Sequence, residues 1–277
     1  MTPPIGLIAG EGALPVITAA GIRAAGRRVA CVGLRDQFDA ALPGMCDAFD
    51  QAGIIRLGRW IKLLRRWGAT EAVMVGRVRK TKMYAPLRIV RQMPDWRAAR
   101  LWYRVLRHDK RNQTLLTAVA DELAASGITL IDTTRYIPDH LASPGCLTRR
   151  EPTAAQQADI DFARPLLRRV IELDIGQSMA VKDRDVIAVE AIEGTDAMIG
   201  RAGELCRHGG WTLLKAAGPA KDRRFDVPTI GMGTIAALKA AGASCLAVEA
   251  GAVILIDRPA VIEAAERAGI AVVGVTW

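Results

Sequence analysis

Residues 5–34 constrain the fold of this chain more than any other stretch. Ile5-Gly6-Leu7-Ile8-Ala9 is a short apolar run that breaks at Gly10-Glu11-Gly12-Ala13-Leu14-Pro15, helical character follows over residues 16–25, and Arg28-Val29-Ala30-Cys31-Val32-Gly33-Leu34 is a second run. Strand, glycine turn, helix, strand is a βαβ unit of the Rossmann type. The alternation continues with a helix over residues 60–67, a strand Ala72-Val73-Met74-Val75 ending at Gly76, a helix over 114–126 and a strand Ile128-Thr129-Leu130-Ile131-Asp132. Strands that alternate with helices in this way build an open parallel sheet.

At 277 residues the chain has room for two domains of roughly 100–200 residues each. The first is expected to close near Pro138 and is assigned residues 1–140. Residues 141–152 hold Ser143-Pro144-Gly145 and Arg149-Arg150-Glu151-Pro152, turn formers with little periodicity, and read as a linker. Residues 153–277 form the second domain. There Thr153 can cap a helix running to about Leu173, and strands at 178–181 and 186–191 flank the turn Lys182-Asp183-Arg184-Asp185. Helices at 196–206, 230–241 and 259–268 then alternate with strands at 212–216, 245–248, 253–256 and 270–275. The expected class is α/β throughout, with two α/β domains, the N-terminal one Rossmann-like with a parallel sheet.

Hydrophobic residues at 51% and charged residues at 24% match a soluble globular chain and exclude disorder. The longest apolar runs, 250–256 and 270–275, fall far short of the ~20 residues that cross a bilayer. Met1-Thr2-Pro3-Pro4 carries no basic n-region, so a secretory signal is not expected and a cytoplasmic location is. Cys31, Cys46, Cys146, Cys206 and Cys245 are scattered singly and read as buried free thiols. His108, His140 and His208 lie too far apart for a zinc motif.

Charge is distributed unevenly. The net formal charge is +9, yet residues 56–111 hold 17 Lys and Arg against only Glu71, Asp95 and Asp109. A local cationic surplus suits polyphosphate, nucleic acid or an anionic membrane surface. From Trp96 onward, Ala98, Leu101, Trp102, Val105 and Leu106 follow helical spacing while Arg97, Arg100, Arg104 and Arg107 take the opposing face. Such a helix either lies in a headgroup layer with its apolar side in the acyl boundary, or simply packs on a core. Nucleic-acid binding is disfavoured, because no zinc-finger, RRM or KH signature is present.

Three clusters carry candidate chemistry. Gly10 and Gly12 give GxG without the third glycine of GxGxxG, a turn that can hold a phosphate or simply bend the chain. Glu190, Glu193 and Asp196 sit where a strand gives way to Gly194 and a helix, and can supply Mg²⁺ with carboxylate oxygens or be solvated turn charges. Lys215 and Lys221-Asp222-Arg223-Arg224-Phe225-Asp226-Val227-Pro228 combine cations that clamp phosphoryl oxygens with carboxylates that bind metal or orient water; ion pairing in a surface loop is the alternative.

Gly10-Glu11-Gly12-Ala13-Leu14-Pro15, Glu190-Ala191-Ile192-Glu193-Gly194-Thr195-Asp196 and Arg224-Phe225-Asp226-Val227-Pro228-Thr229-Ile230-Gly231 together resemble three blocks of the UDP-2,3-diacylglucosamine pyrophosphatase family of lipid A biosynthesis, in the form unrelated to calcineurin-like phosphoesterases. The resemblance implies two α/β domains facing each other across a cleft. It also implies Mg²⁺-dependent hydrolysis of UDP-2,3-diacylglucosamine to UMP and 2,3-diacylglucosamine 1-phosphate, by water attack on the β-phosphorus. It makes Asp226 the first choice for the catalytic carboxylate, with Asp222 its understudy and Lys215 offsetting developing phosphate charge. Gly10, Gly12, Leu14, Lys80, Lys82 and Thr195 are the implied substrate contacts, and Asp226, Glu190, Glu193 and Asp196 the implied metal ligands. The implied partners are the lipid substrate and the cytoplasmic face of the inner membrane, held peripherally, and no nucleic acid; whether the chain is a homo-oligomer stays open. The alternative function is a non-catalytic nucleotide-sugar or lipid-phosphate binder using the same residues.

Overall fold

The computed structural model describes residues 2–78, 94–108, 112–218, 222–225 and 227–277. The chain divides into two compact α/β units, Met1–Ile137 with Arg223–Phe225, and Pro138–Asp222 with Asp226–Trp277.

The first unit runs β1 (Ile5–Ala9), α1 (Leu14–Ala24), β2 (Val29–Leu34), α2 (Leu42–Met45), β3 (Ala48–Ala52), α3 (Leu57–Arg66), β4 (Glu71–Val75), α4 (Trp96–Leu101), a π turn (Trp102–Leu106), α5 (Asn112–Ala124) and β5 (Thr129–Leu130). Its sheet has the order β3-β2-β1-β4-β5, every neighbouring pair parallel. Every residue of β1 and β2 is buried, which explains why those runs are apolar without alternation. Ala19, Ile22 and Leu42 from α1 and α2 cover one face, while Leu57, Trp60, Leu64 and Leu123 from α3 and α5 cover the other.

The helix beginning at Trp96 rests in part on the core: Ala98 and Leu101 pack under α3 and α5, so these two residues are not free to enter a bilayer. Asp95 fixes the entry, accepting hydrogen bonds from Ala98 N at 3.0 Å and Gly58 N at 2.6 Å. Trp102, placed in the apolar stripe by helical spacing, is exposed, because the wider π turn shifts the register of the residues it contains.

The second unit runs β6 (Gly145–Cys146), α6 (Ala154–Glu172), β7 (Ser178–Lys182), β8 (Asp185–Val189), α7 (Thr195–Leu205), β9 (Trp211–Lys215), β10 (Thr229–Ile230), α8 (Met232–Ala240), β11 (Ala243–Glu249), β12 (Ile254–Leu255), α9 (Arg258–Ala268) and β13 (Ala271–Val275). The main sheet has the order β6-β13-β11-β9-β7-β8. β9, β11 and β13 are parallel; β7 runs against both β9 and β8, and β6 against β13. Met198, Ile235 and Val261 from α7, α8 and α9 pack on one face around Trp211 and Leu213, and Ile160, Leu167 and Ile171 of α6 pack on the other. Thr153 caps α6 through a reciprocal capping box with Gln156.

Residues 141–152 are not a linker. Ala142 N donates to Val253 O at 2.9 Å, Gly145 and Cys146 pair with β13, and Leu147 N donates to Val272 O at 2.8 Å. The bend signals of Ser143-Pro144-Gly145 mark the corner of an edge strand, and a Cβ on Gly274 would overlap the Ser143 carbonyl oxygen. Arg223–Phe225 belongs to the first unit: the Arg223 carbonyl accepts from Thr133 N and Oγ1 at 3.0 and 2.8 Å, and its guanidinium pairs with Asp132 at 2.8 Å. The thiols are not uniformly buried either. Cys31 and Cys245 are enclosed, and burial pushes the Cys245 thiol up to about 12, whereas Cys146 is exposed.

Gly10 and Gly76 meet backbone to backbone at the ends of β1 and β4. A Cβ on Gly10 would stand 2.8 Å from Arg77 O and 2.9 Å from Gly76 C, neither of which can swing aside. Gly10→Ala is expected to destabilise the protein by about 1–3 kcal/mol. Gly44→Ala, whose Cβ would meet nothing within 4 Å, is expected to leave the thermal midpoint unchanged; equal midpoints for the two variants would contradict this account.

Candidate active site

In the second unit three chain segments bring a cation, a hydroxyl and a carboxylate into one hydrogen-bonded chain. Lys215 ends β9, Glu190 follows β8, and Thr195 opens α7. Lys215 Nζ donates to Thr195 Oγ1 at 2.7 Å, and Thr195 Oγ1 donates to Glu190 Oε1 at 2.8 Å. An ammonium has only donors, so the threonine oxygen must accept from lysine and send its own proton to the carboxylate. The direction of the chain is thereby set. Lys215 is 5% exposed and Glu190 6%, and neither charge would be tolerated there alone, because desolvating an unpaired ion costs several kcal/mol.

This chain lies at the carboxyl ends of β8 and β9, the edge where α/β sheets characteristically bind ligands. Gly194, at φ 85°, makes the turn into α7, and no side chain caps the helix, so its first amides add to the positive potential of Lys215. Polar atoms buried at this edge without a hydrogen-bond partner among the described residues include Glu190 Oε2, Ser178 Oγ and Gln177 Oε1. Ser178 opens β7 directly opposite Lys215, and its carbonyl accepts from Glu190 N at 2.9 Å. A buried carboxylate oxygen with no donor is suited to a cation or a bound water. Gly176 permits the approach, since a Cβ there would overlap the Glu190 carbonyl oxygen. Neither Ser178 nor Gly176 was anticipated from sequence. Gly176-Gln177-Ser178 carries no motif, and only the β7–β8–β9 pairing reveals its place.

The other expected metal ligands do not gather with Glu190. Glu193 is exposed and paired with Arg201 at 2.6 Å. Asp196, in the first turn of α7, lines a shallow hollow with Gly203, Arg207 and Ala241, in the groove of α7 and α8. Among the described residues no three acidic, histidine or cysteine side chains form a metal-binding group. Within the described residues Glu190 is the buried carboxylate of the expected set, and Asp196 is exposed. Asp222 is half-buried in the second unit. Asp226, Lys80 and Lys82 lie outside the described residues.

The glycine turn belongs to the first unit and sits at its topological switch point, between β1 and β4. Gly10 is buried, its N donating to Val75 O at 2.8 Å; Gly12 is exposed at φ 102°, a conformation that favours glycine. Leu14 is the first residue of α1 and packs in part on the core. Glu11 and Arg77 exchange backbone hydrogen bonds at 2.9 Å, which adds Gly76 and Arg77 to this crevice. The strand ending at Gly76 was legible, but its pairing beside β1 was not.

The family model of the LpxI N-terminal domain matches residues 4–140, and that of the LpxI C-terminal domain matches residues 143–273. A Caulobacter vibrioides protein named UDP-2,3-diacylglucosamine pyrophosphatase LpxI is 36% identical over 279 residues, covering 98% of this chain and 97% of that protein.

Thr195→Val removes the hydroxyl that joins Lys215 to Glu190 and is expected to cost about 1–3 kcal/mol of stability in urea unfolding, whereas Thr195→Ser, which keeps the oxygen, recovers most of it. A valine variant as stable as the parent would show that the chain carries no such energy.

Proposed function

The chain belongs to the LpxI family, and from that premise we propose that it hydrolyses UDP-2,3-diacylglucosamine to 2,3-diacylglucosamine 1-phosphate and UMP. The observation that carries the reading is the full-length relation to a protein of that name. The buried Lys215–Thr195–Glu190 chain supplies phosphate chemistry consistent with it.

In this reading water attacks the β-phosphorus. A new P–O bond forms to the water oxygen, the bond from the β-phosphorus to the bridging oxygen breaks, and that oxygen leaves with UMP. Lys215, held by Thr195, offsets charge that builds on the phosphoryl oxygens. Asp226 takes the proton of the water or aims it. In the glycine turn Gly10 already gives its amide to Val75 O and Glu11 gives its own to Arg77 O, so the proposed backbone contact to substrate falls to Gly12.

The reaction is proposed to need Mg²⁺. The orphaned Glu190 Oε2 fits an oxygen facing such an ion, with Asp226 as the second carboxylate. When bound, the ion supplies Lewis-acid polarisation of phosphoryl oxygens and screens the pyrophosphate charge. The substrate carries two acyl chains, so the proposed place of work is the cytoplasmic face of the inner membrane. No described helix is long and apolar enough to cross a membrane.

UMP release from UDP-2,3-diacylglucosamine in detergent micelles is expected with Mg²⁺ and not with EDTA. In ¹⁸O-labelled water the label is expected in the lipid phosphate; label in UMP would place attack on the α-phosphorus. Lys215→Met is expected to lower kcat by about 10²–10³-fold in a protein that still folds. Substrate bound without UMP release under either condition would make the protein a binder instead.

A further inference from the structure

The first unit leaves three large aromatic side chains in solvent within eight residues. Trp96 is 81% exposed, Trp102 55% and Tyr103 60%. Exposed arginines lie in the same segment, Arg100 on α4, Arg104 on the π turn and Arg107 just after it. Trp96 and Arg100 stand one turn apart on α4, and Tyr103 follows in the π turn, exposed like them. The Arg107 guanidinium lies over the Tyr103 ring at 4.2 Å. Arg104 is exposed beside them. The inward side is already occupied, because Ala98 and Leu101 sit on the core.

Packing of the fold does not account for this exposed group. Isolated exposed apolar residues are ordinary, but aromatics grouped with arginines in one exposed segment mark a surface that meets something. Its charge is also one-sided. Glu122 of α5 is neutralised by both Arg97, at 2.7 Å, and Arg100, at 3.2 Å, and Asp95 is committed to capping α4. In the sequence, residues 56–111 carry 17 cationic residues against three acidic ones.

We propose that Trp96, Trp102 and Tyr103, together with Arg104 and Arg107, form the surface by which this protein docks on an anionic phospholipid bilayer. Tryptophan and tyrosine favour headgroup depth, where an apolar ring and a polar edge are both satisfied, and arginines meet lipid phosphates there. Each arginine near such a surface contributes about fivefold in affinity. A single convex helix offers a bilayer a line of shallow insertion but gives a nucleic-acid strand no channel to follow. This mode differs from insertion of the stripe that Ala98 and Leu101 occupy. The inference stands on the exposed group and not on the proposed reaction, so the two can fail separately.

Co-sedimentation of the full chain with phosphatidylglycerol-containing vesicles, against pure phosphatidylcholine vesicles, tests it. The protein is expected to partition onto the anionic vesicles, less so as salt rises. Trp96→Ser with Tyr103→Ser, and separately Arg104→Glu with Arg107→Glu, are each expected to weaken partitioning at least about tenfold. Both variants should keep the parent's thermal midpoint and its turnover of micelle-dispersed substrate. Equal partitioning onto the two vesicle types, or folded variants that bind as the parent does, would overturn the proposal. Loss of single-stranded RNA binding in these variants, with vesicle binding retained, would also overturn it and assign the exposed group to nucleic acid.

Discussion

A parallel strand pair cannot close through a tight turn, and its two faces must both be covered. That constraint organises both halves of this chain. It forces the connections between parallel strands to cross over, mostly through helices, and in the first unit it makes β1 and β2 apolar at every position. It also sends the parallel strands of each sheet out at the same edge, so the loops leaving them collect there. In the second unit β8 and β9 leave together, which is how Glu190 and Lys215, far apart in sequence, come to share Thr195. In the first unit β1 and β4 leave together, and two glycines let their backbones touch.

The energetics of the candidate site follow from that edge. A buried lysine and a buried glutamate are each costly, and the hydroxyl between them gives each a hydrogen-bond partner. The arrangement leaves acceptors open, since Glu190 Oε2 and Ser178 Oγ have no hydrogen-bond partner among the described residues. A core built only for stability does not leave a carboxylate oxygen so placed, and a site built to receive an ion, a water or a phosphoryl oxygen does.

Much of the fold was legible because periodicity and turn chemistry are local. The capped helix at Thr153, the hairpin through Asp183 and Arg184 at positive φ, and the strands ending at Ala9 and Val75 all announce themselves within a few residues. β3 was missed because Ala48-Phe49-Asp50-Gln51-Ala52 is a half-buried edge strand with polar residues in it. Residues 141–152 look like a linker for a related reason: an edge pairing of two residues, Gly145 and Cys146, leaves almost no pattern of its own. Among the site residues, the acidic run at 190–196 was visible as a cluster, yet only Glu190 turns inward. Glu193 goes to Arg201, and the difference lies in the direction each residue takes as the strand gives way to the helix.

What the sequence by itself determined is therefore the class of the fold, two α/β units in succession, and the residue types proposed to handle phosphate. Both depend on contacts between residues near in sequence or on the chemistry of single side chains. The tertiary structure decided which of those residues meet. Strand order places Ser178 against Lys215 and Gly76 against Gly10, and the π turn carries Trp102 outward. Pairings across tens of residues leave no local trace, since each is selected by burial of the whole sheet and not by the segments that form it.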